Sequence, residues 1–155
     1  PNGVQAMSKE LPGLVETSLN FAILHMEPDE DVKAGFSLRS SSSTAKQALK
    51  EKLCSMIAES EGEYEADGEY PSWEYKENSE LRDQVVRTYK EVLGKEPKVL
   101  SIHAGLECGI LSQKIEGLDC VSFGPDINDI HTTKEKLSIS STQRIWELLK
   151  KLMQM

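Results

Sequence analysis

Two stretches of alternating apolar and polar residues constrain the fold of this chain more than any other feature. Residues 14–24 place five apolar or β-branched side chains on one face: Val15, Thr17, Leu19, Phe21 and Ile23. Residues 32–39 repeat the alternation after a polar connection. A period of two is typical of a half-buried strand, and two such runs joined by a polar segment favour an antiparallel pair. The sequence therefore predicts a β-hairpin with one buried face.

A helix and a further strand are predicted behind this hairpin. Serines and a threonine at residues 40–44 supply N-cap chemistry, and apolar residues recur at helical spacing as far as residue 60. The acidic segment 62–69 is predicted to be a solvated edge strand, protected by its charge and ended by Pro71. Because the pattern changes there, we expect a domain boundary that separates residues 1–72 from residues 73–155.

The second half of the chain alternates between helical patterns and short apolar runs. Three helices are predicted: from Asn78 to Gly94, between Gly105 and Gly117, and from Ser140 towards the end of the chain. The last should begin with a capping box of Ser140 and Gln143. The apolar runs 99–102 and 118–123 are predicted to be buried strands. The expected class is α/β: an α+β portion followed by an α/β portion, with mixed sheets and flanking helices.

Charge and cysteine content exclude several classes of function. The net charge is -8, with no basic stripe, which argues against nucleic acid or an anionic membrane as partner. No apolar run is long enough to span a bilayer. The three cysteines, Cys54, Cys108 and Cys120, lack a CxxC spacing and suit buried, reduced thiols in a cytosol. Because the chain begins Pro-Asn-Gly without methionine, we expect a piece of a longer protein.

Two predicted loops carry residues that suit metal binding or acid–base chemistry. One holds His103 and Glu107, and the other runs from Gly124 to Lys136 and carries His131. Loops at the carboxyl ends of neighbouring strands gather at one edge of a sheet, so these side chains are expected to converge. Histidine and glutamate are zinc ligands and general bases. In the alternative interpretation Glu107 complements a helix dipole, His103 is a turn residue and His131 is solvated.

Arg39 lies at the end of the polar face of the second predicted strand. Its planar guanidinium suits bidentate capture of a substrate carboxylate. The alternative is an ordinary surface arginine without a ligand.

Taken together, the motifs resemble one family, the aminoacyl-histidine dipeptidases (Xaa-His dipeptidases, peptidase D), within a clan of dizinc metallopeptidases. The matching segments are PNGV, GLVETSLN, SLRS, GEYPSWEY, SIHAGLECGIL and DxVSFGP, the last followed six residues later by His131. The resemblance implies a catalytic domain with two bridged zinc ions and an inserted lid domain that mediates dimer formation. Residues 1–72 would then be the later part of the lid, and residues 73–155 the end of the catalytic domain.

The resemblance also implies roles for individual residues. His131 would be a zinc ligand, Arg39 would bind the substrate carboxylate, and Glu107 and Gly124 would lie near the substrate. Residues 25–28 depart from the clan, which places an Asn and Ile-Pro between the lid strands. The other zinc ligands and the general base belong to an N-terminal part that this chain lacks, so no catalytic residue is assigned here.

The implied function is that of a C-terminal fragment, itself inactive, of a cytoplasmic zinc dipeptidase. Its substrates would be Xaa-His dipeptides, and its lid strands would form a homodimer. The alternative is a non-catalytic α/β binding or dimerisation module.

Overall fold

The computed structural model describes residues 1–154, which form two compact units. The first unit contains Pro1–Glu77 and Leu100–Leu118, and the second contains Asn78–Val99 and the chain from Asp119 onward. The boundary predicted after residue 72 concerns the lid and catalytic portions, and it stays a prediction.

The first unit is built on a three-stranded antiparallel sheet, with strands β1 (Gly3–Met7), β2 (Val15–His25) and β3 (Lys33–Ser40) in that order. The predicted hairpin of β2 and β3 is confirmed, and its register places Leu19 opposite Leu38. The sequence did not predict β1, because five residues that are mostly exposed show no clear period.

Helix α1 (Ser43–Glu59) covers one face of this sheet and confirms the first predicted helix. The Ser42 side chain caps it by accepting from the backbone N–H of Ala45. Leu19 of β2 and two leucines of α1, Leu49 and Leu53, form the core of the unit. This core covers only the half of the hairpin next to α1. Phe21 and Phe36, further along, stack on each other with ring centroids 5.0 Å apart but remain exposed.

The acidic segment 62–69 is not a strand, so the predicted edge strand is wrong. The chain turns at Glu61, whose φ is 56°, and the segment contacts α1 through side chains instead. Lys50 Nζ lies 2.5 Å from Glu69 Oε1 and 5.9 Å from the centre of the Tyr64 ring. A strand requires a free edge with which to pair. Here Tyr64 and Glu69 contact Lys50 of α1, while Glu63 and Glu65 are exposed to solvent.

Helix α3 (Glu107–Lys114) belongs to the first unit and is packed closely against residues 70–72. A Cβ on Gly105 would lie 2.5 Å from the Tyr70 ring, and one on Gly109 would lie 2.8 Å from the Pro71 carbonyl oxygen. Both approaches are too close for any residue other than glycine. The GEYPSWEY and HAGLECG segments, far apart in sequence, are therefore packing partners.

The second unit pairs two helices, α2 (Glu80–Leu93) and α4 (Ile139–Leu152). Leu148 of α4 is 0 % exposed, and Val85 and Thr88 of α2 are also buried. Lys151 Nζ lies 3.1 Å from Glu91 Oε1 and joins the two helices at the surface.

The helix ends of this unit agree with the predictions from sequence at Gly94 but not at the start of α4. Gly94 ends α2 in the left-handed region with a φ of 67°, as predicted. The capping box predicted at Ser140 and Gln143 is wrong, because α4 begins after Ser138, whose side chain accepts from the N–H of Ser141. Ser141 is buried and its hydroxyl accepts from the Asp126 N–H at 2.8 Å, which requires the helix to start earlier.

The strands predicted at residues 99–102 and 118–123 are absent from the described part of the chain. Leu100 is 71 % exposed rather than buried. An interior strand needs a hydrogen-bonded neighbour on each side, and no strand among residues 1–154 pairs with either run. The α/β class is confirmed, with antiparallel pairing in both sheets. Within residues 1–154 no helix has the length and apolar character to cross a membrane.

Candidate functional site

The predicted site residues are divided between the two units. Arg39, His103 and Glu107 lie in the first unit, whereas Gly124 and His131 lie in the second. The expected convergence of His103, Glu107 and His131 on one rim therefore stays a prediction.

Arg39 lies near the end of β3 and is exposed. Its neighbour Ser40 is buried and shares a 2.8 Å hydrogen bond with the hydroxyl of Thr17, which marks the core face of the sheet. Because side chains alternate along a strand, Arg39 projects from the opposite face, beside its register partner Ser18. Among the described residues, the guanidinium of Arg39 has no hydrogen bond or ion pair. Its five N–H donors are thus available to an external anion.

His103 contacts this same face of the sheet. Its Nε2 lies 3.1 Å from the hydroxyl oxygen of Ser18, which is 85 residues earlier in the chain. The side chain of His103 is half-buried. Sequence reasoning singled out His103 but missed Ser18, because a serine on the polar face of a strand carries no distinguishing signal.

Glu107 is the first residue of α3 and is exposed. Leu106, at the N-cap position, makes no side-chain capping bond. A carboxylate in the first turn stabilises the positive end of a helix, so this geometry suits the alternative interpretation of Glu107. The same exposed position leaves its carboxylate accessible to a ligand.

His131 lies between two short paired strands, β4 (Ile127–Asn128) and β5 (Lys136–Leu137). The strand predicted at residues 118–123 is not found before this loop, and Ile139 after it already belongs to α4. Sequence reasoning also missed Glu135, whose carboxylate accepts the backbone N–H of His131 at 2.8 Å.

The loop around His131 is tightly bonded and conformationally strained. Asp129 and His131 have φ values of 53° and 65°. Such left-handed backbone at a non-glycine residue costs on the order of 1–3 kcal/mol and persists only when surrounding bonds impose it. Those bonds include the one that the His131 N–H donates to Glu135 and one from the Thr132 hydroxyl to the Asp129 carbonyl at 2.7 Å. The His131 imidazole is exposed and, within residues 1–154, has no hydrogen-bond partner.

Gly124 precedes this loop and is exposed, with no atom near the position that a Cβ would occupy. Its expected place near the substrate stays a prediction. Two residues later, the backbone of Asp126 forms two hydrogen bonds. Its N–H donates to the Ser141 hydroxyl, and its carbonyl accepts the Ser138 N–H at 3.0 Å. These bonds attach the loop to the start of α4.

The described residues do not form a metal site by themselves. Among residues 1–154, no group of three or more His, Cys, Asp or Glu side chains is placed to hold a metal ion. A catalytic zinc takes about three protein ligands plus an open position. Within residues 1–154 the donors therefore do not complete such a site. The three cysteines are half-buried, and none forms a disulfide within the described chain.

Comparisons with known proteins agree on one family. A family model described as peptidase family M20/M25/M40 matches residues 1–155. The cytosol non-specific dipeptidase of Escherichia coli (strain K12) is 36 % identical over 153 residues, which cover 99 % of this chain and 31 % of that protein. The crystal structure of aminoacylhistidine dipeptidase from Vibrio alginolyticus superposes with a TM-score of 0.84 at 34 % identity, again covering 99 % of this chain and 31 % of the other. The chain thus spans about a third of the length of these relatives.

Proposed function

This chain belongs to peptidase family M20/M25/M40, and from that membership we propose that it is the C-terminal part of a zinc-dependent dipeptidase. The resemblance of its motifs to the aminoacyl-histidine dipeptidases is confirmed by the solved relative of that name. The activity proposed here is that of a protein about three times longer, as the relatives are.

The unpaired guanidinium of Arg39 is the observation that carries the proposal. A dipeptide presents a free carboxylate one residue from its scissile bond. An arginine that binds this carboxylate in a bidentate manner fixes the distance between it and the reacting carbonyl. An internal bond of a longer peptide has no carboxylate at that distance. Capture by Arg39 therefore supports a dipeptidase in preference to an endopeptidase.

His131 is proposed as one zinc ligand of the complete protein, which would bind two zinc ions at its active site. The strained loop supports this role, because left-handed backbone at a non-glycine residue concentrates at functional sites. Bound zinc polarises a carbonyl and generates a nucleophilic water near neutral pH. We propose that the remaining ligands and the general base belong to a part of the protein outside this chain. We therefore assign no catalytic step to this chain and propose that it is inactive alone.

The proposed substrates are Xaa-His dipeptides such as carnosine-like compounds. The solved relative carries aminoacylhistidine in its name, which supports this choice, whereas the curated relative is named non-specific. Glu107 and Gly124 are proposed to lie near the substrate. We further propose a homodimer formed through the lid strands and a cytoplasmic location, the latter supported by the name of the curated relative.

The alternative proposal is a non-catalytic α/β binding or dimerisation module.

The deciding experiment compares the full-length product with this chain. Each is assayed with and without added zinc on carnosine-like dipeptides and on dipeptides lacking histidine. We expect zinc-dependent hydrolysis by the full-length protein and none by this chain. Equal rates on both substrate sets would contradict the Xaa-His preference. A zinc-loaded full-length protein that hydrolyses no dipeptide would favour the binding module.

A further inference from the structure

The sheet face opposite α1 has a defined polar pair at one end. Ser18 and Arg39 are register partners on adjacent antiparallel strands, and both point away from the core that Leu19 and Leu38 form with α1. Directly opposed residues on one face have Cβ atoms about 4.5–5.5 Å apart. The hydroxyl of Ser18 therefore lies well within the reach of the Arg39 side chain.

His103, which precedes a closely packed segment, contacts this pair at Ser18. Its Nε2 lies 3.1 Å from the Ser18 hydroxyl oxygen. Two residues later, Gly105 fits tightly against Tyr70, and Gly109 fits against the Pro71 carbonyl. Because these contacts leave no space for a Cβ, the backbone that carries His103 is closely constrained.

The hydrogen bond between His103 and Ser18 leaves one donor unused. A neutral imidazole has one N–H and a serine has one O–H, so the pair has two donors and uses one of them between its members. If Nε2 accepts from Ser18, the Nδ1–H of His103 remains. If Nε2–H donates, the Ser18 O–H remains. Either arrangement offers a donor beside the positive guanidinium of Arg39.

We propose that His103 and Ser18 complete, with Arg39, a binding site for the C-terminal carboxylate of a peptide. This inference rests on the proposed function and extends it from a single arginine to three residues. Arg39 supplies charge and two parallel donors, and the imidazole–hydroxyl pair supplies the third donor and sets its direction. The same face also carries the Glu16 carboxylate, but this accepts from the Thr17 hydroxyl at 3.3 Å.

The test uses the full-length protein and a pair of ligands that differ only in the carboxylate. A dipeptide and its C-terminal amide are compared in wild type, His103→Ala, Ser18→Ala and the control Ser37→Ala. Ser37 lies on the same face of β3 two residues before Arg39, opposite Asn20 rather than Ser18. A hydrogen bond to a charged group is worth roughly 1.5–3 kcal/mol. We therefore expect His103→Ala to raise KM and Kd for the free acid about tenfold or more, with kcat much less affected.

The amide separates a binding role from a structural one. Its Kd should change little in His103→Ala and Ser18→Ala, and Ser37→Ala should resemble wild type with both ligands. The inference would be overturned if His103→Ala weakened the binding of the acid and of the amide equally. It would also be overturned if His103→Ala weakened the binding of neither ligand. His103→Gln, which keeps a side-chain donor, should recover part of the acid preference, and it decides the question if the alanine variant does not fold.

Calorimetric binding distinguishes failure of this inference from failure of the proposed function. A wild type that bound the acid better than the amide but hydrolysed neither would overturn the dipeptidase and support the carboxylate site. A wild type that hydrolysed dipeptides with no preference between acid and amide would overturn the site and leave the dipeptidase standing.

Discussion

The backbone N–H of His131 donates to the carboxylate of Glu135 at 2.8 Å, across a loop of four residues. This bond holds the proposed zinc ligand in a left-handed conformation, which is uncommon for residues other than glycine. The direction of the imidazole thus depends on a residue that would not itself contact the metal.

Replacing Glu135 should weaken zinc binding without unfolding the protein. In full-length Glu135→Ala the His131 N–H loses its acceptor, the strained backbone relaxes, and the imidazole is misdirected. Residues that orient a metal ligand typically contribute about 10–100-fold to metal affinity. We expect a loss in this range by competitive chelator titration. Lys134→Ala is the control, because Lys134 contributes only its backbone N–H to the loop. Unchanged affinity in Glu135→Ala would argue against this role.

His131→Ala and His131→Gly should both abolish zinc-dependent hydrolysis in the full-length protein but should differ in stability. Glycine adopts a φ of 65° without strain, whereas alanine does not. In excess chelator, we expect the glycine variant to be more stable than the alanine variant by about 1 kcal/mol, by denaturant unfolding. Full zinc occupancy and normal turnover in either variant would show that His131 is not a ligand.

Leu148→Ala should destabilise the second unit strongly. The side chain is 0 % exposed between α4 and α2, and truncating a buried leucine typically costs about 2–5 kcal/mol. Met153→Ala is the matched control, since Met153 is 80 % exposed and should change stability by no more than about 0.5 kcal/mol. Thermal unfolding followed by circular dichroism measures both. Similar small shifts in the two variants would contradict the packing of α4 on α2.

The Lys50 and Glu69 pair should titrate abnormally. The hydrogen bond from Lys50 lowers the pKa of Glu69, and the same bond raises the pKa of Lys50. For Glu69 the folded pKa lies below the unfolded one. The pair's contribution to the free energy of unfolding is therefore present above the unfolded pKa and is lost as pH falls through the folded pKa. For Lys50 the contribution is lost as pH rises through its raised pKa.

NMR titration of the Glu69 side chain measures this effect. We expect a midpoint below the usual glutamate range in wild type and a higher midpoint in Lys50→Gln. Global stability should change little, because both groups are exposed and water screens their interaction. A Glu69 midpoint that Lys50→Gln leaves unmoved would show that the pair does not persist in solution.

The exposed end of the β2–β3 hairpin should take part in self-association. Phe21 and Phe36 stack there without cover from the described residues, and apolar surface next to a free strand edge favours a second copy. We expect light scattering to give a dimer for the full-length protein and a shift towards monomer in Phe36→Lys. Ser37→Lys, on the other face of β3, is the control. A wild type that remained monomeric at high concentration would contradict this prediction.

The sequence by itself determined the elements whose signals are local. The hairpin of β2 and β3 followed from a period of two, and α1, α2 and α4 followed from helical spacing and from glycine or serine at their ends. A helix satisfies its own backbone hydrogen bonds, so a window of residues contains most of the information. The proposed roles of His131 and Arg39 also came from sequence motifs, and they stay predictions.

Only the tertiary structure decided which segments are strands and which side chains meet. The runs at residues 62–69, 99–102 and 118–123 have strand composition but no pairing partner among residues 1–154. A strand's hydrogen bonds lie on another segment, and no local pattern reveals whether that segment is present. For the same reason, the contacts of His103 with Ser18 and of Tyr70 with Gly105 could not be inferred beforehand. Each joins residues far apart in sequence, and only the packing of the whole unit brings them within a few ångströms.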